Sequence, residues 1–385
     1  MSKRVQLPGL PRILHVHSSL DSDAYRRTVR LIRAFGNAAR HAVVVAERGD
    51  PAEDERLTAL ANADFPPFPR LTGWPAPARL KSLAAAMQRY DLVCTYGWGA
   101  MDAAMAHTLF ADVFQLSPLI HHEDGFDEDE ARRLKRRRNI YRRIALGRTA
   151  ALVVPSHDLE RIALDVWQQP RSRVQRIAPG VPVAAFGKKP RRDTLPMLVK
   201  HKDEFWIGTH GPLKPSANIP ALVRLTAALP EEWNGVAFGE GSARSAILAE
   251  AERLEVEHRV HLPGPAEPER TLGLLDIFAV TSDSGQAPVS VLQAMAAGLP
   301  IVAPARGDIA DFVAEENAPF IVPAGDEAAL TDAATRLSVD SALRQRVGEA
   351  NRAKAREHYD ESRMIARYKA LYWGVMNRRK AGPAG

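Results

Sequence analysis

Residues 281–309 read TSDSGQAPVSVLQAMAAGLPIVAPARGDI. A strand ends at Thr281, a loop follows, then an apolar segment of helix length, a Gly298-Leu299-Pro300 turn, and the apolar run 301–305 of a second strand. Two strands joined through one helix run parallel in one sheet. The loop before that helix therefore lies at the carboxyl edge of the sheet, where doubly wound proteins hold ligands against a helix N-terminus.

The same alternation extends outward in both directions. EFWIGTHG (204–211), GVAFGEG (235–241), VHLPGP (260–265), LDIFAVTS (275–282) and PFIVP (319–323) read as strands, with helices at 219–229, 242–256, 327–339, 341–359 and 361–378. Upstream, RILHVHS (12–18), HAVVVAE (41–47), DLVCTY (91–96), PLIHHED (118–124), ALVVPS (151–156) and VQRIAPGV (174–181) read as strands between helical segments. This predicts an α/β protein of two Rossmann-like, doubly wound parallel-sheet domains. The expected limits are 1–181 for the first domain and 204–360 for the second. A Pro-, Lys- and Arg-rich linker would span 182–203, a crossover helix 361–378, and a frayed tail 379–385. Two such halves make a cleft at their facing carboxyl edges, the default ligand site.

At 385 residues, with 45% hydrophobic and 25% charged residues, the composition suits a soluble globular protein of two domains. No run approaches the roughly 18–20 apolar residues needed to span a bilayer. The start, MSKRVQLPGLPRILHVHSS, is interrupted by Pro8 and Pro11 and reads as a first buried strand, not a signal peptide. The single cysteine, Cys94, lies in an apolar run and is expected in the core of a cytoplasmic protein. No set of metal ligands is apparent. Net charge is +6, unevenly spread. Glu123, Asp124, Asp127, Glu128, Asp129 and Glu130 precede a basic helix, 131–148, which holds Leu134, Ile140, Tyr141 and Ile144 among its cations. That helix suits peripheral contact with an anionic membrane face or, as plainly, a solvated face paired with the acidic block. Nucleic acid is not a candidate partner, because no aromatic platform accompanies the charge.

From 204 to 375 the chain resembles, segment by segment, the donor domain of family 4 glycosyltransferases, which have the GT-B fold. WIGTHGPLKPSANIPALVRL, VAFGEGSARSAI, VHLPGP and LLDIFAVTSDS match its successive strand–loop–helix words, and YKALYW its final helix. RILHVHSSLD, PLIHHEDGF and RIAPGVPVAAF are similar to landmarks of the first domain. The resemblance implies transfer of a sugar from a nucleotide-diphosphate sugar to a glycan or lipid-linked acceptor. It further implies retention of configuration, no metal, and no cofactor beyond the donor. Carried over position by position, donor contacts would fall on Gly208, Lys214, Gly239, Gly241, Gly285, Gln286, Pro288, Val289, Ser290 and Gln293. His122 and Glu123 would be catalytic, with Asp21, Trp98 and His121 on the acceptor side. A pair of strand-end histidines satisfied by backbone groups is the plainer reading of His121 and His122, as packing is of His15 and His17.

The chain also departs from the family. Its two motif glutamates are Gly285 and Gln293, its diphosphate arginine falls near Pro212, and its lysine near Ala217. Losing one such donor typically lowers the rate about 10²–10³-fold. These changes open a second expectation: a catalytically impaired relative that serves as a binding or partner subunit.

Overall fold

The computed structural model describes residues 9–20, 22–46, 55–126, 129–130, 133–196, 198–282 and 289–380. Asp21, Gly285, Gln286 and Pro288 lie outside the described residues. The chain divides into two compact units, one of residues 1–177 with 365–385, the other of 178–364.

The first unit is a seven-stranded sheet. Its strands are β1 (Arg12–His17), β2 (Arg40–Val45), β3 (Ala63–Asp64), β4 (Leu92–Tyr96), β5 (Leu119–His122), β6 (Ala151–Val154) and β7 (Val174–Arg176). Their order is β3-β2-β1-β4-β5-β6-β7, with every pairing parallel. Chain order reverses between β1 and β4, which makes their carboxyl ends the switch point of this sheet. β4, β5 and β6 are buried along their whole length, as sheets covered on both faces require. Leu14, Val16, Val93, Leu119 and Leu152 meet Leu83, Met87 and Ala104 from the helices Pro77–Met87 and Met101–Phe114. Cys94 is buried in β4, and burial pushes its thiol up to about 12.

The second unit is six-stranded: β8 (Phe205–His210), β9 (Trp233–Phe238), β10 (Val260–Gly264), β11 (Ile277–Ala279), β12 (Ile301–Pro304) and β13 (Ile321–Val322). Its order is β10-β9-β8-β11-β12-β13, again with parallel pairings, and its switch point lies between β8 and β11. Each unit is thus a doubly wound α/β layer, as the expected GT-B fold requires. Helix starts are fixed by side-chain caps: Ser22 and Ser156 in the first unit, Asp326 and Asp340 in the second.

Residues 182–203, read from composition as a linker, belong to the second unit, where Val183, Phe186 and Leu195 are buried in its core. The basic helix is shorter than its charge pattern suggested and spans Arg136–Ala145. Glu130 Oε1 accepts the Lys135 N–H at 2.9 Å just before it begins. The last helix, Glu361–Lys380, contains the boundary between the units, and its residues from Ile365 on are counted with the first. No helix among the described residues is long and apolar enough to cross a membrane.

Candidate functional site

The carboxyl edge of the second sheet is held together by backbone. Gly211 N–H donates to Phe238 O at 2.9 Å, Leu213 N–H to Glu240 O at 2.8 Å, Ala243 N–H to Leu213 O at 2.9 Å, and Gly239 N–H to Gly264 O at 2.9 Å. The loops after β8, β9 and β10 therefore interlock. Gly239 (φ +150°) and Gly241 (φ +156°) permit this, since a Cβ on either would overlap the carbonyl oxygen of Gly211 or Leu213. Gly239→Ala should cost at least about 2 kcal/mol, read as a lower urea midpoint at unchanged slope. Gly208 lies inside β8, and its missing side chain leaves room for Val236 O and Leu275. That glycine is explained by packing, away from the loop.

Across the switch point, Thr281 Oγ1 donates to Ala217 O and Ser282 Oγ to Ser216 O, both at 2.9 Å. These bonds tie the loop after β8 to the loop after β11. Lys214 is exposed on the first of these loops. The helix Val289–Ala297 begins just beyond, with Val289, Ser290 and Gln293 half-buried in its first two turns. His210 and His261 hold structure: His210 Nε2 donates to Ala266 O at 2.8 Å, and His261 meets Asn234 Oδ1 at 3.3 Å.

A further cation stands at this edge. Ala279 of β11 pairs with Val302 of β12, so Arg306 leaves the sheet at the same carboxyl edge as Ser282. Its Nε is buried without a hydrogen-bond partner among the described residues. A buried N–H of this kind is rare and points to a missing acceptor. The sequence signal was an Arg just past a strand end, outside the motif positions being matched.

In the first unit, Ser18 Oγ donates to Tyr96 O at 2.8 Å and accepts the Gly99 N–H at 2.9 Å, joining the loops after β1 and β4. Trp98 is half-buried there and lines a pocket of about 400 Å³ with Leu71, Pro75, Asp102, Arg137 and Tyr141. Tyr141 O–H donates to Asp102 Oδ1 at 2.6 Å, and Arg79 pairs with the same carboxylate.

His122 and Glu123 do not open onto this pocket. Both side chains are buried, at 0% and 1% exposure. His122 Nδ1 lies 3.3 Å from Thr95 O, a carbonyl that can only accept, so Nδ1 carries the proton. Nε2 then accepts from Tyr372 O–H at 3.0 Å, and Tyr372 accepts from Tyr96 O–H at 3.2 Å. Tyr96 in turn accepts from His15 Nδ1 at 2.9 Å, and His15 Nε2 accepts from His41 Nδ1 at 3.0 Å. One directed chain of five hydrogen bonds thus uses both nitrogens of His122, which leaves no free lone pair for a base. Burial holds His15 and His122 well below the usual histidine range, His41 at about 4 and His17 at about 3.

Glu123 Oε2 is 3.4 Å from Arg142 Nε, and Glu130 completes the pairing at 3.0 Å. The Arg142 guanidinium lies over Trp98, Phe126 and Trp167 at 4.9–5.3 Å. Glu130 therefore fixes the cation beneath Trp98, with Glu123 as a second carboxylate beside it. His121 Nδ1 meets Thr95 Oγ1 at 2.8 Å, also indoors. What the sequence did not indicate is Arg27, which grips Asp124 through two bonds of 2.7 and 2.8 Å beside this network.

Comparison with known proteins bears on the family and the fold. The family described as "Glycosyltransferase Family 4" matches residues 24–185, and "Glycosyl transferases group 1" matches 192–354. N-acetyl-alpha-D-glucosaminyl L-malate synthase of Bacillus anthracis is 25% identical over 145 residues, a stretch covering 37% of this chain and 38% of that enzyme. Among solved structures, Anabaena Alr3699/HepE in complex with UDP and glucose superposes with a TM-score of 0.78 at 15% identity, covering 94% of this chain and all of that one. Sucrose-phosphate synthase from Thermosynechococcus elongatus gives 0.75 at 18% identity, over 95% of this chain and 99% of that one.

Proposed function

This chain belongs to the family 4 glycosyltransferases, and we propose on that premise that it moves a sugar from a nucleotide-diphosphate sugar to a glycan or lipid-linked acceptor, with retention of configuration and without a metal. The observation that carries the reading is the carboxyl edge of the second sheet. Loops there interlock through Gly239 and Gly241, and the same edge carries an exposed lysine, Lys214, an arginine, Arg306, whose buried Nε has no partner among the described residues, and the start of the helix Val289–Ala297. Sugar transfer from a nucleotide diphosphate builds negative charge on the departing diphosphate, and fixed donors and cations stabilise it. Lys214 and Arg306 supply cations, the helix start supplies N–H groups, and Gln293 can bond a ribose hydroxyl without charge. On the acceptor side, Trp98, Asp102 and Tyr141 would hold the incoming hydroxyl-bearing group.

Gly285 and Gln293 in place of the family's glutamates favour a second reading, a binding subunit with little turnover. Calorimetric titration with UDP, GDP and ADP in the presence of EDTA separates the possibilities. Saturable binding of one nucleotide, followed by release of that nucleotide from its sugar conjugate with acceptor, supports the enzyme. Binding without turnover on any sugar supports the subunit, and no binding by folded protein removes the donor site altogether.

The helix Arg136–Ala145 belongs to the same proposal. Asp129 and Glu130 pair with Lys135, Arg138 and Arg142, whereas Arg136, Arg137 and Arg143 have no ion pair among the described residues. Beside them Ile140 and Ile144 are 60% and 49% exposed, and Trp74, on the loop lining the Trp98 pocket, is 85% exposed. Apolar and basic side chains mixed on one face suit an anionic bilayer surface on the cytoplasmic side. Co-flotation with phosphatidylglycerol vesicles should fall about tenfold or more in an Ile140→Glu, Ile144→Glu variant; flotation unchanged by that variant would place the contact elsewhere.

A further inference from the structure

The basic stretch 187–192, GKKPRR, has no part in the donor or acceptor geometry. It folds onto the second unit and brings Lys188 and Lys189 to a pocket of about 400 Å³ shared with Arg344 and Arg352. Asp276 and Pro300, which immediately precede β11 and β12, also line it, so the pocket sits on the amino edge of the sheet, opposite Lys214 and Thr281. The helix Val289–Ala297 links the two edges. It starts at the donor loop and ends at this pocket, where Ala297 and Gly298 form part of the wall. Nine helical residues separate the two edges by about 13 Å.

The charge here is only partly compensated: Asp276 and Asp340 lie near Arg344, but no carboxylate pairs with these cations among the described residues. Arg352 donates from Nε to Ala296 O at 3.1 Å and from Nη2 to Phe186 O at 2.7 Å. Arg344 donates from Nη1 to Leu337 O and Ser338 O, and its guanidinium lies over Phe205 and Trp233 at 5.0 and 5.2 Å. Both are anchored by carbonyls and aromatic rings, and neither they nor the two lysines have an ion pair among the described residues. Asp276 is the carboxylate in the wall, and it is taken by Lys200 Nζ and by the Trp206 N–H. The carbonyls at the helix end would repel an anion, but three of the last four are occupied. Ala294 O and Met295 O accept from Leu299 and Gly298, and Ala296 O from Arg352.

We propose that this pocket is a second anion site, for a phosphoryl-bearing ligand, on the edge of the sheet opposite the donor loops. Two preset guanidiniums and two mobile ammonium groups match an anion with several oxygens and more than one charge, and the volume admits a diphosphate or a sugar phosphate. A soluble phosphate ester and a phospholipid headgroup share that chemistry.

The test uses the full chain, saturated with UDP to occupy the donor edge, and titrates inorganic pyrophosphate by calorimetry. One saturable site is expected, unchanged in Lys214→Ala and weakened about tenfold or more in Lys188→Glu, Lys189→Glu. Both lysines are exposed, so the double variant should melt like the parent. If UDP itself does not bind, the donor reading fails, yet the comparison between the two lysine variants still decides this site. Flotation with phosphatidic acid vesicles, in the Ile140→Glu, Ile144→Glu background, identifies a headgroup as the source if it depends on Lys188 and Lys189 while pyrophosphate does not bind. Binding of neither probe, or binding that ignores the double charge reversal, overturns the proposal.

Discussion

Lowering the pH from 7.5 to 5 should remove about 4 kcal/mol of stability through His17 and His41 alone. Both are buried and neutral in the folded state, with folded values of about 3 and about 4 against 6.5 when unfolded. The sign follows from that order. Above pH 6.5 both states bind no proton at these sites, and stability is at its plateau. Below it the unfolded chain takes up protons that the folded chain refuses, so stability falls as the pH drops toward the folded values. Each histidine contributes about 2 kcal/mol by pH 5. His15 and His122 are shifted in the same direction and steepen the loss. Against a total of about 5–15 kcal/mol for a typical domain, this is a large fraction of the stability. Urea melts at half-unit intervals between pH 8 and 5 measure it. His17→Phe gives the internal control, because both ring nitrogens of His17 lack partners among the described residues while its ring stacks on Tyr96 at 4.0 Å. That variant should match the parent at pH 7.5 and exceed it by about 2 kcal/mol at pH 5. A flat profile in the parent would show that the histidines are hydrated or charged in the folded state.

The fold was legible because its strands are short apolar runs bounded by turn residues. DLVCTY, ALVVPS and EFWIGTHG fall on β4, β6 and β8 to within two residues at each end. β3, two residues long, carries too few side chains to show any period. The stretch 182–203 misled for a physical reason. Its prolines, lysines and arginines resemble a solvated tether, while the burial that fixes it rests on three separated residues, Val183, Phe186 and Leu195. The glycines at 239 and 241 were legible as a loop after a strand, but their cause, contact with the loop after β8, lies outside any local pattern. His122 and Glu123 show the limit most plainly. Residue type and position at a strand end suggested a base. Whether a strand-end side chain faces outward depends on what the rest of the chain places over it, and Tyr372, 250 residues away, sits on His122.

Arg306→Ala should weaken binding of the donor nucleotide about tenfold or more, and the double variant Lys214→Ala, Arg306→Ala should lower turnover about 10²–10³-fold, the loss typical of removing transition-state donors. The family's cation pair is missing from this chain. Pro212 and Ala217 carry no charge where the arginine and lysine would be. If the chain still binds a diphosphate, the positive charge must come from elsewhere on the same edge. Lys214 lies on the loop that Thr281 and Ser282 hold in place. Arg306 enters from β12 with a buried N–H that has no acceptor among the described residues. An unused buried donor costs about 1–3 kcal/mol, a cost that a bound phosphate oxygen would offset. Arg306→Ala should therefore leave the unliganded protein as stable as the parent or more so while impairing binding. A residue kept for packing would show the opposite pattern, lower stability with binding intact. Arg306→Lys adds a second discrimination, because a lysine restores charge without the guanidinium's fixed fork. Partial recovery of affinity in Arg306→Lys, against none in Arg306→Gln, would identify charge on the diphosphate as the role; equal loss in all three variants would assign Arg306 to the shape of the loop.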